Sequence, residues 1–390
     1  MKIRIYDYLI CSSIVLAPFT YMVAFKYTNT ANLIDLYRFG FTCIIIFQLI
    51  YSHKIYLNKV KVNPSILFFS LVILNGLISN ILYLQVDNIA SLGRYILYLV
   101  GLIILRQKIV FLLIKYIEQI LLIFLTVGVI QTITGDTYLV NMAERVAGPY
   151  YLHASGYSLF LVTTLPILIY KISKEGFSFF RFICLIAGLF ILLRTGSRAG
   201  LIGFLISIFL VYRKKIFNKY TILILFISLV SFKSQLIYFF FNNPLLKRFV
   251  YLFKNGIFDA SSNERVEIVI RSINGLDSIQ RIFGIGIGYF DNFQESMVGE
   301  RIAAHNNFLL FFIEGGLFLL IFFIVHLVWI AIKILKVKDI NKRKLLFLLF
   351  LNIELFGLIN NNLYYYIPYL ISLLIIHEFI SEKKWRSLKY

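Results

Sequence analysis

Apolar runs of about twenty residues recur from one end of this chain to the other, and few folds can hold them. A soluble core cannot hide that much nonpolar surface, whereas a bilayer needs about twenty apolar residues for each helical crossing. With 60% hydrophobic residues and a mean hydropathy of +0.83, the chain reads as an all-α, polytopic integral membrane protein. The pattern predicts about twelve transmembrane helices, at 8–25, 36–52, 64–84, 90–106, 109–131, 154–171, 179–193, 199–212, 219–232, 306–332, 345–359 and 364–380. The basic start and first apolar stretch resemble a signal peptide but run straight into further spans, so a retained anchor is expected. Residues 1–390 then form a single membrane domain with two long outer loops, 132–153 and 233–305.

Charge orients this arrangement. With the N-terminus cytoplasmic, about 24 of the 39 basic residues fall on the inner side, including Lys54–Lys61, Lys171–Arg181, Arg213–Lys219, Lys333–Lys344 and the Lys383–Lys389 tail. Both termini are then cytoplasmic. The net charge of +20 becomes a topology signal with some attraction to anionic lipid, and nucleic acid is not a partner it calls for.

The kind of cation also changes across the membrane, which topology alone does not explain. The inner side is mostly lysine, while the outer side carries ten arginines: 38, 94, 145, 194, 198, 248, 265, 271, 281 and 301. Arginine grips phosphate or carboxylate with a planar fork of donors, and lysine is a hydrated point charge. A phosphorylated or acidic ligand on the outer side follows. Headgroup contacts and loop ion pairs are the competing role, above all for Arg38, Arg94 and Arg248.

Cysteine and histidine add no metal or disulfide framework: Cys11, Cys43 and Cys184 lie within predicted spans, and His53, His153, His305, His326 and His377 lack ligand spacing. The sequence has no phosphate loop of the Walker type, and no cofactor is expected. Gly284, Gly286 and Gly288 read as a tight turn leading back to the membrane.

Chemistry is expected in the long loops. Pro244–Lys254 mixes apolar bulk with three cations, as an interfacial helix would. Ser261-Ser262-Asn263-Glu264 reads as a capping box that opens a helix and places Arg265 in its first turn, beside free amides that favour an anion. Arg194-Thr195-Gly196-Ser197-Arg198 has the same logic: Gly196 ends one span, Ser197 caps the next, and Arg198 stands at its start. A tight turn with arginines on headgroups would use the same glycine and serine. His305, at the edge of the tenth span, is the leading general base, with Asn306 and Asn307 to orient it or hold sugar hydroxyls. Glu314 lies two turns deeper, where an acid is costly unless paired or functional. His153 is a loop residue or a second base. Apart from Glu314, the charges read as buried deep within the spans are Lys115, Glu118 and Glu354, with Lys115 and Glu118 spaced to pair.

These residues resemble the O-antigen polymerase and O-antigen ligase family. The resemblance is carried by Arg145-Val146-Ala147-Gly148, Thr195-Gly196-Ser197-Arg198-Ala199-Gly200, Asn263-Glu264-Arg265, Gly284 to Gly288, His305-Asn306 and Glu314-Gly315-Gly316, in that order over about 145–320. The first 130 residues match only as generic spans, and Val269 stands where the family tends to place an aromatic. The resemblance implies a metal-independent C-type glycosyltransferase of the bacterial inner membrane with its active site facing the periplasm. Its donor would be an undecaprenyl-diphosphate-linked oligosaccharide and its partners the bilayer and a chain-length regulator. It further implies that Arg198 and Arg265, helped by Arg145 or Arg194, hold the diphosphate, that His305 is the inverting base, and that Asn306 and Glu314 orient substrate. The Ala-His-Asn-Asn form of residues 304–307 inclines the reading toward polymerase over ligase. A polysaccharide-intermediate flippase stays open as another class, although the polar weight lies in one outer loop and not within the spans.

Overall fold

Helices account for nearly all regular structure, as the backbone of an apolar chain in lipid requires, because every amide must find its partner within the segment. The computed structural model describes residues 5–23, 63–83, 89–140, 143–150, 153–216, 260–299, 304–360 and 366–381. Its helices are α1 (Ile5–Met22), α2 (Pro64–Tyr83), α3 (Ile89–Val100), α4 (Arg106–Lys115), α5 (Ile117–Thr134), α6 (Ala154–Glu175), α7 (Phe179–Arg194), α8 (Arg198–Ile216), α9 (Ala260–Asn274), α10 (Ser278–Phe283), α11 (Phe290–Val298), α12 (Asn307–Leu335), α13 (Ile340–Ile359) and α14 (Tyr366–Ile380). A two-stranded antiparallel hairpin, β1 (Tyr138–Val140) and β2 (Ala143–Arg145), precedes α6. Among the described residues, α2, α5, α6 and α12 are long and apolar enough to cross a bilayer, and four shorter apolar helices accompany them. The spans expected at 36–52 and 219–232 and the interfacial segment Pro244–Lys254 lie outside the described residues.

The central helix is α6. Within the membrane-length windows 83% of its residues are buried, against 33% for α2. Helices α5, α7, α8, α13 and α14 all pack on it. Paired contacts set their directions: Asn352 Nδ2 donates to the Val162 carbonyl at 2.7 Å, and Asn360 Nδ2 lies 3.5 Å from Ser155 Oγ, so α13 runs antiparallel to α6. The Tyr157 hydroxyl donates to the Phe124 carbonyl at 2.7 Å and Gln131 bonds Gly148, which lays the second half of α5 against the chain entering α6. Hence α5, α7 and α13 end, and α6, α8 and α12 begin, at one end of the bundle.

The opposite end is held by lysine and carboxylate. Lys171 Nζ and Arg181 Nε both reach Glu118 Oε1, at 2.8 and 2.9 Å, and Arg181 also pairs with Glu175. Two expectations are corrected here. The helix expected to end at 106 continues, through a π-turn at Gly101–Leu105, as far as Lys115, and the chain turns at Tyr116. Glu118 therefore sits near a helix start among cations of other helices, and it pairs with Lys171 and Arg181 instead of Lys115. The physical reason is that a carboxylate is cheaper at a helix end, near water and cations, than within a span.

Helix α12 is broken at Gly316, whose φ of 65° and ψ of −173° are not helical. The break removes the helical donors of the carbonyls just before it. They are recovered from the glycine-rich segment: the Ile285 amide donates to the Ile313 carbonyl and the Gly286 amide to the Glu314 carbonyl, both at 2.9 Å. Backbone meets backbone so closely that a Cβ on Gly284, where φ is +78°, would stand 2.3 Å from the Glu314 carbonyl. The turn expected at Gly284–Gly288 is thus a wedge between α12 and α2, where Gly286 faces Ser79.

Two predictions follow from this packing. Gly284→Ala combines a disfavoured left-handed backbone with a main-chain clash and is expected to cost about 2–4 kcal/mol, read as a lower melting temperature in detergent. Asp339 caps α13 through the Asn341 and Lys342 amides and pairs with Lys174 at 3.0 Å. Burial works to raise its pKa, but the Lys342 amide and Lys174 outweigh burial and hold it below the ordinary aspartate value. A depressed carboxylate stabilises above its unfolded pKa, so this contribution fades below about pH 4. Asp339→Asn is expected to flatten that acid limb in melting curves taken from pH 6 to 3.

Candidate functional site

The turn between α7 and α8 is built by four consecutive residues. Thr195 Oγ1 donates to the Leu192 carbonyl at 2.7 Å and accepts the Ser197 amide at 3.3 Å. Gly196 adopts a φ of +60°, which ends α7 as the sequence predicts. Ser197 Oγ accepts the Gly200 amide at 3.3 Å, the expected N-cap, and Arg198 opens α8. Gly200 also lets α8 approach α6 closely, since a Cβ there would lie 1.7 Å from Ser158 Oγ and 3.1 Å from its Cβ.

The hairpin delivers Arg145 to the same turn. In β2, Glu144 is exposed and Arg145 is buried, and the Val146 amide donates to the Arg194 carbonyl at 3.1 Å. Gly196 has no side chain to obstruct it, so the Arg145 side chain lies against the turn, its Nε 3.6 Å from where a Cβ would be. The Nε atoms of Arg145 and Arg194 are both buried, and neither has a hydrogen-bond partner. Two arginines brought to one turn, each with an orphaned buried donor, are an unfavourable arrangement without an anion.

The last turn of α13 gathers the other residues. Arg265 Nη1, from α9, donates to the Ile359 carbonyl at 2.9 Å, and Asn306 Nδ2 donates to the Leu358 carbonyl at 3.2 Å. Asn306 Oδ1 meanwhile accepts the Phe308 and Leu309 amides and caps α12. His305 precedes it with a φ of +49°, the one positive value of a non-glycine residue among the described residues. Strain of this kind persists only where neighbours on both sides fix the backbone, and it gathers at functional positions.

Residues 183–324 match the family described as O-Antigen ligase. The match covers less than half of the chain and supports its resemblance to the O-antigen polymerase and ligase family. It contains Arg194, Arg198, Arg265, the glycine wedge, His305 and Glu314, and it stops short of Arg145 on one side and the α13 hub on the other. No curated protein matches the chain. The match and the helices of membrane-crossing length together support a membrane protein of polysaccharide biosynthesis.

Within this O-antigen ligase segment, Arg194 and Arg198 flank one turn, with Arg145 supplied from outside it. Arg265 and Asn306 meet at the α13 terminus, and His305 is the residue just before Asn306. The two groups lie at the same end of the bundle, because α8 packs antiparallel on α13 with Gly203 against Leu355. Glu314 is placed differently: its carboxylate is buried and accepts the Phe290 amide at 3.3 Å, at the start of α11. It holds the glycine wedge and α11 to α12. The helix carrying Arg265 starts at Ala260, so Ser261–Glu264 lie within its first turn and not ahead of it. The paired capping box occurs one helix later, where Asp277 and Gln280 exchange hydrogen bonds at the start of α10.

Sequence reasoning missed Gln131. Its amide clamps Gly148 twice, accepting the Gly148 amide at 2.8 Å and donating to its carbonyl at 3.2 Å, which fixes the chain just after Arg145. A lone glutamine in an apolar span was the available signal. Gly200→Ala is expected to crowd Ser158 and lower activity, with Ser158→Ala in the same chain restoring a large part of it. Polysaccharide yield from complemented cells measures both.

Proposed function

We propose that the chain is an O-antigen or related surface-polysaccharide polymerase at the outer face of the bacterial inner membrane, with both termini in the cytoplasm. It transfers a glycan from undecaprenyl diphosphate to a sugar hydroxyl of a lipid-linked repeat unit. The observation that carries this reading is the pair of buried, unpartnered Nε donors on Arg145 and Arg194 beside the Arg198 turn. A diphosphate leaving group supplies the anion such donors need, in the two-pronged geometry arginine favours.

In the reaction proposed, the bond between the anomeric carbon and the phosphate oxygen breaks and its electron pair leaves with the diphosphate. Arg145, Arg194, Arg198 and Arg265 stabilise that growing charge. The acceptor hydroxyl oxygen attacks from the opposite face, and His305 takes its proton, which inverts the anomeric centre. Asn306 and Glu314 contribute by fixing the backbone around His305 and the wedge. The activated bond already resides on the lipid, so the scheme calls for neither a nucleotide sugar nor a metal. A chain-length regulator is the expected protein partner.

Ligation to lipid A core is a second reading, favoured by the description of the matched family, and it uses the same donor chemistry. One experiment separates the readings. In a deletion strain complemented with His305→Ala, Arg145→Ala or Arg194→Ala, each checked for membrane expression, transfer is expected to fall by about a hundredfold or more. Loss of the ladder with single repeats still on lipid A core supports polymerase. Loss of all attached glycan with accumulation of long lipid-linked chains means ligase. An unchanged ladder from all three overturns the site.

A further inference from the structure

Helix α9 divides into three sectors. At about 100° per residue, Arg265, Ile268 and Ser272 share one third of its circumference, and Ile268 and Ser272 are buried against the protein. Glu267 and Arg271 occupy another, exposed and paired with each other at 2.9 Å. The third carries Val266, Ile270 and Ile273, which are 49%, 53% and 37% exposed. Helix α10, next in the chain, also exposes apolar residues: Ile279, Ile282 and Phe283 are 72%, 50% and 58% exposed. A helix in water would have one buried and one polar face. The extra apolar sector is the pattern of a helix at a junction of protein, water and lipid.

The depth of α10 says what covers these apolar residues. Its last residues are pinned to the break in α12: a Cβ on Gly316 would meet the Ile282 carbonyl at 2.2 Å and the Phe283 amide at 2.5 Å. On the other side Asn75 Nδ2 of α2 donates to the Phe283 carbonyl at 3.4 Å. Gly316 lies about nine residues into α12, roughly 14 Å along its axis, and a helix of that length overhangs a hydrocarbon layer of about 30 Å by roughly 7 Å at each end. The end of α10 thus falls below the hydrocarbon edge. Its apolar strip also continues directly into Leu317, Phe318 and Ile321, the exposed outward residues of α12 itself.

We infer that the segment from α9 through the glycine wedge is not a water-exposed loop but a re-entrant element, whose Val266 to Phe283 strip is embedded in the hydrocarbon of the adjacent lipid leaflet. Its irregular backbone at Gly284–Gly288 is tolerated at that depth because it packs between α2 and α12 and its Ile285 and Gly286 amides donate to the Ile313 and Glu314 carbonyls of α12. Helix α9 then links the bilayer to the site, with Ile270 in lipid and Arg265 on the α13 terminus.

Spin labels at Ile270→Cys, Ile282→Cys and Asn274→Cys test this in the full-length protein in nanodiscs, with the three native cysteines replaced by serine. At positions 270 and 282 collisions with oxygen are expected to exceed those with a water-soluble nickel chelate several-fold, with the reverse at 274. Chelate access at 270 and 282 equal to that at 274 overturns the inference, as does shielding from both reagents, which would place protein over the strip. Ile270→Trp and Ile282→Trp in the native-cysteine chain give an independent reading. Brominated lipid is expected to quench their added fluorescence, and absence of quenching overturns the inference equally.

Discussion

A helix that ends inside or near a bilayer leaves carbonyls without helical donors, and those of Leu358 and Ile359 at the end of α13 organise this molecule. Asn306 satisfies one and Arg265 the other. One donor comes from the entrance to α12 and the other from a helix of the long loop, so two segments separated by forty residues are brought to one point by an elementary hydrogen-bonding need. Asn360 extends the junction to Ser155 at the start of α6. The histidine that precedes Asn306 is held in a strained backbone because the residue after it is committed on both sides, as helix cap and as donor.

The same economy recurs at the break in α12. Gly316 interrupts the helix, the carbonyls of Ile313 and Glu314 lose their partners, and the amides of Ile285 and Gly286 replace them. Glycine is needed at 284 and 316 because two backbones touch there without side chains between them. Glu314 then closes the arrangement by accepting the Phe290 amide. A residue that reads in sequence as a functional acid is, in the structure, the peg that keeps the wedge in place.

Charge is sorted between the ends by a different logic. At the lysine end, cations meet carboxylates: Lys171 and Arg181 on Glu118, and Lys174 on Asp339. At the other end, Arg145 and Arg194 are both brought to the turn between α7 and α8, and their buried Nε donors have no partner. Buried cations with satisfied partners hold a fold together. Those with orphaned donors call for a ligand, and this contrast separates a structural network from a site.

Much of this was written in the sequence. Runs of apolar residues decide that a chain is helical and membrane-bound, since lipid allows little else. Gly196 and Ser197 announce a helix end and a helix start through chemistry confined to a few residues, and both do what local rules require. The turn at Tyr116 was not legible, because hydropathy cannot place a boundary that is set by Glu118 finding partners on α6 and α7. Nor could the role of Glu314 be read, since its partner lies 24 residues away across a break that only packing creates. The sequence by itself determined the class of fold and the local turns, both of which depend on short-range chemistry and on the solvent. The tertiary structure decided which arginines lie together, which glycines touch and where the loop helices sit, because those follow from backbone groups far apart in the chain satisfying one another.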